Sequence, residues 1–223
     1  MKKYEILKKL IEIDTVSDNK NIEIRDYLKK RLQLLNFKIS EIGDDEKKKV
    51  LIAERGKSNI GFVCHTDTVS ADDDWEYNPY KLTIKDGYMY GLGVCDMKGG
   101  ISALLDALSI LDKQYPCNLY FTYDEEIGFE GIKKLIDTKK DFPKVLIFPE
   151  PTDLVPVIAN KGCLEFEVTF IGKSAHSSTP LLGDNAILKA ISFIDELTTI
   201  NKTITCVKII YLKFLKRLLT LVK

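Results

Sequence analysis

Two periods of hydrophobic spacing alternate along the chain. Ile24, Leu28, Leu32 and Leu35 recur at helical spacing with charged residues between them, and Leu7 and Ile11 mark residues 4–13 in the same way. Short runs rich in Val, Ile and Phe at 50–53 and 60–64 suit strands, as do 119–123 and 145–148. Gly99-Gly100 precedes Ile101, Leu104, Leu105, Leu108 and Leu111, one apolar helix face, and a further helix spans 132–136. Residues 72–79 read as a loop. Strands and helices alternate to about residue 150, which predicts an α/β fold, a buried sheet sandwiched by helices. Beyond that, Leu164, Phe166, Val168 and Phe170 alternate with polar residues as in a half-exposed strand, and Ala186, Ala190, Ile191, Ile194 and Leu197 line a helix. The predicted layout is a first domain at 1–160, the start of an α+β domain at 161–197, and an atypical tail at 198–223.

Composition narrows the function classes. Hydrophobic residues are 45% and charged residues 30%, with 33 basic and 33 acidic side chains and no net charge. A general attraction to nucleic acid or to an anionic membrane surface is therefore not expected. No apolar run reaches the ~18 residues of a membrane span, and the N-terminus does not read as a secretory signal. The five cysteines contain no CxxC pair. Reduced, packed thiols in a cytoplasmic protein are the expected state, Cys64 and Cys95 included. The tail at 198–223 holds six basic residues and no acidic one. It reads either as a basic amphipathic helix or as a truncated or frameshifted end, and the second is the expectation adopted.

Four segments carry candidate chemistry. His65 and Asp67 sit at the end of a predicted strand, where ligands bind in α/β sheets. Residues i and i+2 of an extended segment point the same way, so Asp67 is expected to accept a bond from one ring nitrogen and leave the other for a metal. Taken singly, the pair reads first as a strand-end histidine capped by an acid. The stretch Gly91-Leu-Gly-Val-Cys-Asp96-Met-Lys-Gly-Gly100 is neither a phosphate loop nor a dinucleotide fingerprint. Asp96 is a helix cap or a metal ligand. Asp124-Glu125-Glu126 follows a strand, and three adjacent acids are costly unless solvated or shared with cations. Glu150 lies between Pro149 and Pro151, which stiffen its backbone. Together His65, Asp96, Glu126 and Glu150 fall at strand edges or the loops after them, a donor set suited to Zn²⁺, Co²⁺ or Mn²⁺, with Glu125 left over as a general base. Lys98 is expected to support the helix start rather than to act chemically.

The order of these motifs, completed by Ser174-Ala175-His176-Ser177-Ser178, resembles the M20 family of metallo-aminoacylases and peptidases over about residues 1–197. Trp75, Asn78-Pro79-Tyr80, Glu150-Pro151-Thr152 and Asn185-Ala186-Ile187 add a likeness to its acetylornithine deacetylases, with succinyl-diaminopimelate desuccinylases and M20 dipeptidases as alternatives. The resemblance implies a zinc-exopeptidase-like catalytic domain with a mixed sheet, and a lid or dimerisation domain. It implies two zinc ions per site, with cobalt an alternative, bridged by Asp96. His65 and Glu150 would complete the first site and Glu126 would serve the second. Glu125 would be the base, Asp67 the partner of His65, and His176 an oxyanion donor that reaches across a homodimer. It also implies a cis bond at Asp96-Met97, a small N-acyl amino acid as substrate, and N-acetylornithine deacetylation in arginine biosynthesis as the reaction.

The sequence departs from the family in one respect. The second metal ordinarily takes a further histidine near the end of a longer chain, and no histidine follows His176. Three expectations compete: a family hydrolase of weak or no activity, a non-catalytic domain that holds one ion, or half of a split enzyme.

Overall fold

The computed structural model describes residues 4–17, 19–160 and 167–205. The chain divides into two compact units at residues 160 and 161. The first contains α1 (Glu5–Glu12), α2 (Ile22–Leu34), β1 (Lys38–Asp45), β2 (Lys48–Arg55), β3 (Ile60–His65), β4 (Thr83–Lys85), β5 (Tyr88–Tyr90), α3 (Gly99–Ile110), β6 (Cys117–Thr122), α4 (Glu130–Asp137) and β7 (Val145–Ile147). Five of these strands form one sheet in the order β1-β2-β6-β3-β7. The tight turn between β1 and β2 makes that pair antiparallel, and β2 is antiparallel to β6. The long crossover through α3 makes β3 and β6 parallel, and β7 joins β3 in the same sense. The sheet is therefore mixed, and β3, β6 and β7 all end on one edge.

Alternation along the central strands builds the two faces. Leu51 and Ala53 of β2, Cys64 of β3 and Leu119 and Phe121 of β6 pack with Ile6, Leu10, Leu28 and Leu32 of α1 and α2 and with Ile101 and Leu105 of α3. Val50, Ile52, Val63 and Tyr120, the residues between them, face the other way and pack with Leu135 of α4. Every position of β6 is buried, as the middle strand of a two-sided sandwich requires. Strand β1 has no counterpart in the hydrophobic pattern, because it is a polar edge strand paired only with β2. The β4–β5 hairpin turns at Asp86 and Gly87, both at positive φ (51° and 82°), as a two-residue turn of this hand demands.

The second unit holds a short 3₁₀ turn at Pro180–Leu182 and α5 (Ala186–Thr205). Asn185 caps α5, its Oδ1 accepting the amides of Ile187 and Leu188 at 2.9 and 3.3 Å. Phe170 and Phe193 meet edge to face at 5.6 Å. The strand expected over Leu164, Phe166, Val168 and Phe170 is not formed where it can be seen. Residues 167–170 have no ladder, and the unit's one bridge among the described residues joins Lys173 to Asp184. Leu164 and Phe166 lie outside the described residues, as does 206–223. Helix α5 runs unbroken through Thr198, so the change in composition there does not coincide with an end of secondary structure. No helix among the described residues is long and apolar enough to cross a membrane.

Candidate metal centre

His65 is the last residue of β3, and β6 continues to hold the chain beyond it. The amide and hydroxyl of Thr66 both donate to the Thr122 carbonyl, at 3.0 and 2.8 Å. The segment then runs beside the linker between α1 and α2, where Thr68 donates to the Thr15 carbonyl at 2.9 Å and Ser17 to the Thr68 carbonyl at 3.1 Å. This extended path sends His65 and Asp67 to the same side. The expected bond between them takes a different form. The imidazole Nδ1 lies 3.0 Å from the backbone carbonyl of Asp67, and its carboxylate Oδ1 is farther off at 3.6 Å. The carboxylate is held back because Oδ2 accepts from the Ser17 hydroxyl at 2.8 Å and from the Glu126 amide at 3.2 Å. A carbonyl only accepts, so Nδ1 carries a proton and Nε2 is the nitrogen turned to the site.

Nε2 is 2.9 Å from Asp96 Oδ1 and 3.8 Å from Glu150 Oε1. Asp96 comes from an irregular turn, Val94–Lys98, entered through Gly93 at φ 76°. A side chain at Gly93 would strike Thr68 at 2.7 Å, so the turn lies directly on the His65–Thr68 segment. The Asp96-Met97 bond is cis, as the family likeness implies. The buried Lys98 amine donates to the Ile13 carbonyl at 2.9 Å and ties this turn to the end of α1. Burial lowers that amine to about pH 8, which accords with a structural anchor. Glu150 follows β7 and is brought in by close packing, since a β-carbon on Gly100 would sit 2.0 Å from the Pro149 carbonyl oxygen.

Two donor sets share the imidazole. His65, Asp96 and Glu150 form one, and His65, Glu125 and Glu126 the other, with the ligand atoms of each within 4.8 Å of one another. The three adjacent acids do not all converge. Asp124 sits at φ 57° and turns to Lys48, with Nζ 2.7 Å from its Oδ1, while Glu125 and Glu126 go to the imidazole.

The electrostatics fit a cation. Burial, helped by Asp96 and Glu125 and opposed by His65, pushes Glu150 up to about 8. Glu125 and Glu126 are also raised, by burial first and then by neighbouring carboxylates. Burial alone would lower His65, but Asp67, Asp96 and Glu150 hold it well above its ordinary value. Asp96 is lowered mainly by its bond to that imidazole. Buried Asp67 Oδ1 has no hydrogen-bond partner among the described residues. One imidazole among five carboxylates is an excess of negative charge that a divalent cation offsets, and the nitrogen and oxygen donors are of the right chemistry.

The first unit thus gathers six of the seven anticipated residues: His65, Asp67, Asp96, Glu125, Glu126 and Glu150. His176 belongs to the second unit, where its Nδ1 accepts from the Ser178 amide at 3.2 Å and lies 2.8 Å from the Ser178 hydroxyl. An accepting Nδ1 leaves the proton on Nε2. Ser17 is the support that no motif announced, whereas Lys98 was expected to support the start of α3 and anchors that turn. Cys64 is a packed thiol raised by burial, whereas Cys95, expected to be packed, is exposed on the irregular turn.

An α/β sheet with a histidine and several carboxylates at one strand edge offers donors that can hold a divalent cation. The chain belongs to peptidase family M20/M25/M40, whose sequence pattern matches residues 61–207. It is 36% identical to an acetylornithine deacetylase of Myxococcus xanthus, over 89% of this chain and 54% of that one. It is 35% identical to a probable succinyl-diaminopimelate desuccinylase of Staphylococcus epidermidis, over 91% of this chain and 52% of that one. The chain spans about half the length of the curated relatives it matches. In fold it is similar to a tripeptidase of Staphylococcus aureus, with a TM-score of 0.64 and 23% identity over 85% of this chain and 54% of that one.

Proposed function

We propose that this chain carries the metal site of a hydrolase that cleaves the amide of an N-acyl amino acid, with N-acetyl-L-ornithine as the first substrate to test. The observation that carries the reading is the pair of donor sets that share His65 at the edge of the sheet. His65, Asp96 and Glu150 would hold one divalent cation, zinc or cobalt, and Glu126, from the other donor set, would serve a second. Bound there, such a cation supplies Lewis acidity toward a carbonyl and acidifies water.

The protein's own groups divide the remaining work. The Asp67 carbonyl fixes the imidazole tautomer so that Nε2 can act as a ligand. Glu125, raised by burial and by its acidic neighbours, takes a proton from the attacking water and returns it to the leaving amine. His176, with its proton on Nε2, donates to the oxygen on which charge develops, from a second copy of the chain in a homodimer. The products are a carboxylate and a free amino acid.

The relatives carry two substrate names, so the assay takes N-acetyl-L-ornithine and N-succinyl-L,L-diaminopimelate side by side. The 223-residue chain is loaded with Zn²⁺ or Co²⁺ and its bound metal is counted. Turnover that Glu125→Gln abolishes while metal content is kept supports the reading. A chain that binds one ion and turns over neither substrate is a metal-binding domain instead, and a chain that binds none refutes the site.

A further inference from the structure

We propose that Ser17 is a positioning residue of the metal centre, acting through Asp67 on ligands from two separate loops. The proposal rests on the metal-site reading above. The Ser17 hydroxyl is 2.8 Å from Asp67 Oδ2 and 3.3 Å from the Thr68 carbonyl. It has one proton to give, and the nearer, charged oxygen takes it. Both side chains are buried, at 4% and 5% exposure, so water does not replace that bond.

Ser17 is itself held from both sides of its peptide. Its amide donates to the Thr68 carbonyl at 3.1 Å, and its carbonyl accepts from Lys48 Nζ at 2.5 Å. The same Lys48 pairs with Asp124 at the head of the acidic loop. The serine oxygen therefore stands at a fixed point, and it fixes the carboxylate in turn.

The orientation of that carboxylate reaches two sets of ligands. Oδ2 also accepts the amide of Glu126, which anchors the loop that presents Glu125 and Glu126. With Oδ2 so engaged, Oδ1 faces the imidazole at 3.6 Å and cannot displace the Asp67 carbonyl from Nδ1. Without the hydroxyl, the carboxylate can rotate toward Nδ1 and release the Glu126 amide. Both donor sets then loosen from one change, made 48 residues before the first ligand.

The test uses the 223-residue chain with Ser17→Ala, with Ser17→Cys as a same-size weak donor, and with Ser17→Thr, which keeps the hydroxyl. Hydrogen exchange at the Glu126 amide is read without metal, and Co²⁺ binding is read from its visible absorption bands. Exchange at Glu126 is expected to speed up about fivefold in the Ala and Cys variants while β6 amides are unchanged. Co²⁺ affinity is expected to fall about tenfold with altered bands. The Thr variant retains both. If Ser17→Ala does not fold, the Cys variant alone decides. Unchanged exchange at Glu126 in the Ala or Cys variant, or an equal loss in the Thr variant, overturns the proposal. If the unaltered chain takes up no Co²⁺, the metal-site reading fails, and the exchange measurement by itself still decides whether Ser17 orients Asp67.

Discussion

Gly100→Ala adds a single methyl group at the point where α3 touches the loop that carries Glu150. The new carbon would lie 2.0 Å from the Pro149 carbonyl oxygen and 3.0 Å from the Pro149 β-carbon. Ordinary contact begins near 3.5 Å, so helix and loop must part by roughly 1–1.5 Å. Two donors bound to one ion at about 2 Å each can be no more than about 4 Å apart. His65 Nε2 and Glu150 Oε1 are already 3.8 Å apart, so that movement takes Glu150 out of reach. Overpacking of this kind costs about 1–3 kcal/mol, or about 3–10 °C in the melting temperature of a chain this size. Loss of one ligand of three should weaken Co²⁺ binding more than 100-fold, since even the partners behind ligands are worth about 10–100-fold. The assay is a thermal melt in chelator together with a Co²⁺ titration. The control is Gly87→Ala, at φ 82° with nothing within 4 Å, which should lose about 1 kcal/mol and keep its metal. A Gly100→Ala chain that melts within about 1 °C of the original and binds Co²⁺ within about twofold would refute the packing argument.

Two further outcomes follow from the electrostatics. Glu150 titrates at about 8 in the metal-free fold against an ordinary 4.5, so it favours folding while protonated and that contribution is lost as pH rises from about 4.5 to about 8. After allowance for partial exposure, the metal-free chain should lose about 2–3 kcal/mol over that window relative to Glu150→Gln, and parallel melting curves for the two from pH 5 to 8.5 would contradict this. Lys48→Met leaves Asp124 buried beside Glu125 without its cation and should cost about 3–5 kcal/mol in urea unfolding. Adding Asp124→Asn should restore most of that, and simple addition of the two costs would show that the pair is not coupled.

Much of the catalogue was legible in the residues. The helical stripe of Leu28 and Leu32, the buried run of β6 and the Gly99-Gly100 start of α3 follow from period and propensity, which are local properties. The order His65, Asp96, Glu125-Glu126, Glu150 marked the side chains that meet at the sheet edge, because strand ends carry the short acidic loops that converge there. What local pattern cannot express is which atoms meet. Strand β1 is a polar edge that exists only because β2 offers it a partner. Residues 167–170 alternate in the manner of a strand and form no ladder, because alternation says nothing about a neighbour. The imidazole meets the carbonyl of Asp67 and not its carboxylate, because Ser17 and Glu126 compete for that carboxylate from distant parts of the chain. Residue types and their order belong to the sequence by itself. The tertiary structure decided how each buried donor was allotted among several acceptors within reach, and that depends on distances no one-dimensional spacing records.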